Sequence, residues 1–72
     1  DRRVGELDPR LETYADWVDP YHQGVIYYLK DQLVRGILLW NTWGQLQPAR
    51  DLLAAGQPLT PAQLKGMLPL QA

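Results

Sequence analysis

The chain has 72 residues, seven basic and eight acidic side chains, and a formal charge of −1. That length excludes two domains that each own a core, and it excludes a complete enzyme with its own dinucleotide fold. With no Cys and one His, the chain also lacks the means for a disulfide framework or a Cys/His zinc site. There is no basic surplus to neutralise phosphates, so no nucleic acid is expected as a partner. The longest uncharged run, Gly36–Ala49, holds Asn41, Gln45, Gln47 and Pro48, and no membrane partner is expected. An apolar share of 46%, with three Trp and four Tyr, marks a folded chain. We read residues 1–72 as a single domain. Because it begins with Asp1 rather than Met, we expect a fragment of a larger protein.

Asp8-Pro9 and Asp19-Pro20 punctuate the first stretch, since a residue before Pro is pushed out of the helical region. Between them, Leu11 to Val18 is rich in strand formers. A strand there places Leu11, Thr13, Ala15 and Trp17 on one face. Val4 to Leu7 reads as the tail of an earlier strand.

The strongest pattern is Gly24 to Asn41. Two β-branched and aromatic runs flank the polar pair Asp31-Gln32, which reads as a tight hairpin turn. A two-residue loop pairs Lys30 with Leu33. Strict alternation then puts Val25, Tyr27, Leu29, Val34, Gly36, Leu38 and Trp40 on one face. It puts Ile26, Tyr28, Lys30, Leu33, Arg35, Ile37 and Leu39 on the other. The first face is expected to meet the helices. On the second, Tyr28 opposite Arg35 has the spacing of a cross-strand cation–π pair. Both faces are more apolar than one wet and one buried face require.

Helical signals follow. Leu46, Ala49, Leu52 and Leu53 recur at helical spacing. Pro48 is tolerated only in a first turn, which starts this helix near Gly44 or Gln45. Gly56 stands where a left-handed cap residue belongs. For a second helix, Thr60 is the N-cap, Pro61 the first helical residue and Gln63 the partner of a capping box. Leu59 and Leu64 have hydrophobic-staple spacing, Leu64, Met67 and Leu68 form an apolar stripe, and Pro69 limits the length. The fold class is α+β: a small antiparallel sheet, made of the 24–41 hairpin and N-terminal strands, followed by two short helices.

Catalytic chemistry is hard to find. Ser is absent, and Thr occurs only at 13, 42 and 60. His22 stands alone and reads as an exposed loop residue; a minimal enzyme would need it to work with Asp16 or Asp19. Asp8, Glu12, Asp16 and Asp19 read as a solvated edge. Glycines 24, 36, 44, 56 and 66 form neither GxGxxG nor a P-loop. We assign no catalytic, cofactor-binding or metal residues. Trp17, Trp40 and Trp43 fit either a stacking surface for a flat ring or core and interface packing, with Trp40 placed in the core. By residues alone, this is an interaction or packing domain. One form of that reading is a free-standing interaction or dimerisation module without a cofactor.

The run Gly24-Val25-Ile26-Tyr27-Tyr28-Leu29-Lys30-Asp31, followed by Gly36-Ile37-Leu38-Leu39-Trp40-Asn41 and Pro48-Ala49-Arg50, carries a further signal. It resembles the C-terminal domain of apoptosis-inducing-factor-like and ferredoxin-reductase-like FAD-dependent pyridine-nucleotide oxidoreductases. The resemblance runs from about Gly24 to Leu68, and more loosely from Val4 to Tyr14. It implies a non-catalytic domain that packs on the flavin- and NAD-binding domains of its parent and in some members dimerises. FAD and NAD(P)H would belong to the parent, and this chain would bind neither. Trp17, Ile26, Tyr28, Ile37 and Leu39 are the expected docking surface. The short Val18–Gln23 connection resembles a compact bacterial-type reductase, for which a cytoplasmic location is expected.

Overall fold

The computed structural model describes residues 2–68. Its elements are β1 (Arg2–Gly5), β2 (Glu12–Asp19), β3 (Gln23–Lys30), β4 (Leu33–Trp40), α1 (Leu46–Ala55) and α2 (Pro61–Leu64). The strands form one antiparallel sheet in the order β1-β4-β3-β2. The α+β expectation holds. The first strand lies slightly earlier than expected, because the chain turns away at Gly5, where φ is +75°.

The central hairpin forms as its sequence dictates, with one irregularity. Asp31 and Gln32 both adopt left-handed backbone, φ 52° and 67°, as a two-residue turn matched to strand twist requires. Lys30 pairs with Leu33, and Leu29 with Val34. The register then shifts: Tyr28 pairs with Gly36, and Arg35 is left as the extra residue of a β-bulge.

That one residue inverts β4. Beyond the bulge, Ile37 and Leu39 join Val25, Tyr27, Leu29 and Val34 in the core, with exposures of 0% and 1%. Leu38 and Trp40 turn to the opposite face. The expected face assignment is therefore right for β3 and for Val34, and wrong for β4 from Gly36 onward. Strict alternation cannot register an inserted residue. Ile37 and Leu39 consequently leave the expected docking surface. The proposed Tyr28–Arg35 pair is also lost, since Arg35 instead faces Glu6 at 3.4 Å.

The helices close the core on one side only. Ala49 and Leu64 are fully buried there, and Leu68 nearly so. Leu46, Leu52 and Leu53 pack at the margin of the core. Gly56 ends α1 in left-handed backbone, φ 62°, and Thr60 opens α2 with the expected capping box. Leu59 is half-buried and ties its amide to the Gln32 carbonyl at the hairpin turn, 2.8 Å. The expectation about Pro69 lies outside the described residues.

Candidate functional site

With the helices on one face, pairing fixes what the other face presents. It carries Arg3 of β1, Thr13, Ala15 and Trp17 of β2, Ile26 and Tyr28 of β3, and Leu38 and Trp40 of β4. Most of these are apolar, and from Ala15 onward each is half-buried. The hairpin-turn end is partly covered by the chain itself. The chain just after β1 crosses Gly36 so closely that a Cβ there would lie 2.0 Å from the Glu6 carbonyl oxygen and 3.0 Å from the Leu7 side chain.

The open end has a different cover. Trp17 lies over Gly24, where a Cβ would come within 2.7 Å of its ring. Its ring meets Trp40 edge-on at 5.2 Å and tilts against Tyr21 at 5.2 Å. This aromatic corner is braced. The Asn41 side-chain amide donates to the His22 carbonyl at 2.6 Å. The buried Thr42 hydroxyl sits 3.1 Å from the Gly24 carbonyl and 3.0 Å from that of Trp40. Tyr21 projects from the corner with 74% exposure, and Trp43, three residues after Trp40, is 72% exposed. Of the expected docking residues, Trp17, Ile26 and Tyr28 share this face. Leu38, Trp40 and Tyr21 were missed. A glycine inside a strand pattern, here Gly36, is the signal that a bulge can be present.

Among the described residues, no catalytic constellation accompanies the face. His22 Nδ1 lies 3.0 Å from the Pro20 carbonyl and 3.7 Å from Asp19, with the ring 77% exposed. Asp16 is turned to the helix side, where its carboxylate accepts the Gly66 amide at 2.8 Å, so His22 and Asp16 are not brought together. Asp8 pairs with Arg10 at 2.8 Å, which holds its carboxyl below the ordinary value. These two, with Glu12, Lys30 and Asp31, line a shallow hollow of about 510 Å³ that carries charges of both signs. Among the described residues, no group of three His, Cys, Asp or Glu is placed to hold a metal. No helix among them is long and apolar enough to cross a membrane.

One buried polar atom stands out on the helix side. Tyr27 is fully buried and stacks on Tyr14 at 6.2 Å. Its hydroxyl has no hydrogen-bond partner among the described residues. Burial pushes its pKa far up, and the negative charge of Asp16 and the Tyr14 phenol add to this. The Leu68 backbone amide offsets part of the shift without reaching hydrogen-bond geometry.

These features define a small α+β domain with one sheet face under helices and the other largely apolar, half-buried and covered by no helix among the described residues. Residues 6–55 match the family model described as apoptosis-inducing factor, mitochondrion-associated, C-terminal. The chain belongs to this apoptosis-inducing factor C-terminal family. The match takes in β2, β3, β4 and α1, and so every strand that builds the aromatic corner. Apoptosis-inducing factor 1, mitochondrial, of Dictyostelium discoideum is 36% identical over an alignment of 59 residues. That alignment covers 69% of this chain and 11% of the relative, so the chain corresponds to a small part of the relative's length.

Proposed function

We propose that this chain is the non-catalytic C-terminal domain of a FAD-dependent NAD(P)H oxidoreductase. Its task is to seat the bare sheet face on the flavin- and NAD-binding domains of the same polypeptide. The observation that carries this reading is the apolar face of Trp17, Ile26, Tyr28, Leu38 and Trp40, which the chain's own helices leave uncovered. Aromatic residues dominate the energetics of such contacts. Membership of a family whose relative is far longer supports a partner within the same polypeptide. The chain has no glycine fingerprint to cradle a dinucleotide phosphate. FAD and NAD(P)H are therefore assigned to the other domains, and this chain contributes packing. The short β2–β3 connection supports a compact bacterial parent in the cytoplasm.

The test compares one substitution in two settings. Leu38→Arg places a charge on the bare face. In the full-length gene product it is expected to lower the thermal midpoint and reduce the flavin retained on purification. In the 72-residue chain the midpoint should move little. Equal destabilisation in both settings would mean that Leu38 serves folding, and would contradict docking. A full-length product without flavin would contradict the oxidoreductase assignment. A concentration-independent dimer of the isolated chain, seen by light scattering and broken by Leu38→Arg, would replace the intramolecular partner with a second copy.

A further inference from the structure

The last described segment, Thr60–Leu68, lies across the helix side of the sheet. It is anchored by two buried leucines, Leu64 and Leu68. A hydrogen bond from the Gly66 amide to Asp16 on β2 pins it to the sheet. Its own amides close locally: Leu64 on Thr60, Lys65 on Pro61 and Met67 on Leu64, each at 3.0 Å. Such a segment has the makings of a separate opening unit, because few bonds tie it to the sheet and its single helical turn, too short to hold its own bonds once detached, loses them together. Beneath it sits Tyr27, whose buried hydroxyl has no partner among the described residues. An unsatisfied buried hydroxyl is unfavourable, and exposure to water relieves it.

We propose that Thr60–Leu68 is a strap that opens as a unit, with Asp16 as its latch and the orphaned Tyr27 hydroxyl biasing it toward release. Opening exposes Leu64 and Leu68 and withdraws the Leu68 amide from the phenol, which oppose it, but hydrates the Tyr27 hydroxyl, which favours it. The two buried leucines keep the strap closed, and the hydroxyl lowers the cost of opening it while the sheet stays closed. Release bares the Tyr14–Tyr27 stack, a second apolar surface opposite the bare face.

Amide hydrogen exchange on the 72-residue chain tests this, with β3 and β4 amides as the internal record of global stability. Asp16→Ala should accelerate Leu64, Lys65, Gly66 and Met67 together, by about tenfold, and leave β3 and β4 unchanged. Asp16→Asn keeps an acceptor oxygen and should restore exchange to within about threefold of the parent chain. Tyr27→Phe removes only the hydroxyl and should slow the strap amides by about tenfold. Acceleration confined to Gly66 would overturn the unit. Equal acceleration of β3 and β4 would overturn its independence. Unchanged or faster strap exchange in Tyr27→Phe would overturn the role of the hydroxyl.

Discussion

Gly36 is where β4 tolerates the backbone of Glu6. A methyl group there would sit 2.0 Å from the Glu6 carbonyl oxygen and 2.5 Å from its carbon, neither of which is the end of a flexible side chain. Gly36→Ala should therefore destabilise the fold by about 2–3 kcal/mol, read from the denaturation midpoint. A loss below about 0.5 kcal/mol would show that the crossing is not rigid. Tyr27 makes a prediction of a different kind. Its folded phenol is held far above the ordinary value of 10.0, so above pH 10 the unfolded chain releases this proton and the folded chain does not. Stability is intact below about pH 10 and falls as pH rises beyond it. Tyr27→Phe should flatten that decline; Tyr14, raised mainly by burial, leaves a remainder. An unchanged slope in the variant would place the titration elsewhere.

The hairpin shows how far local pattern reaches. Asp31 and Gln32 both lie in left-handed backbone, and Gln is poorly suited to it. Gln32→Gly should raise stability by about 0.5–1 kcal/mol, seen as a higher thermal midpoint. A lower midpoint would mean that the Gln32 side chain contributes to the turn. The turn, the first pair of the register, both helix caps and Leu64 in the core were all legible, because each depends on residues within a few positions of one another. The bulge at Arg35 was not, since it is stabilised from outside the hairpin. Glu6 pairs with the Arg35 side chain and donates its amide to the Arg35 carbonyl at 2.8 Å. From Gly36 onward this contact, more than 25 residues away in sequence, decided which side of β4 is buried. The side of the sheet turned away from the helices was therefore read correctly on β2 and β3 and wrongly on β4. Trp40, expected in the core, lies on the bare face, while Ile37 and Leu39 lie in the core.

For the whole molecule, the main feature is asymmetry: helices on one side of the sheet, a half-buried apolar and aromatic surface under no helix on the other. A monomer gains little from such a surface, and exposed apolar patches commonly mark contact sites. A charge introduced at Leu38 probes the apolar centre of this face. A second probe is Trp40→Ala, which removes an aromatic anchor of the open end. It should lower the thermal midpoint of the full-length product more than that of the isolated chain, and equal losses would make Trp40 a residue of the fold alone. The most direct test of the account is oxidative footprinting read by mass spectrometry, comparing the isolated chain with the full-length gene product. The account predicts that Trp17, Tyr28 and Trp40 are labelled in the isolated chain and protected in the full-length product, while Met67, on the helix side, changes little. Equal labelling of Trp17, Tyr28 and Trp40 in both, with protection confined to the helix side, would contradict it.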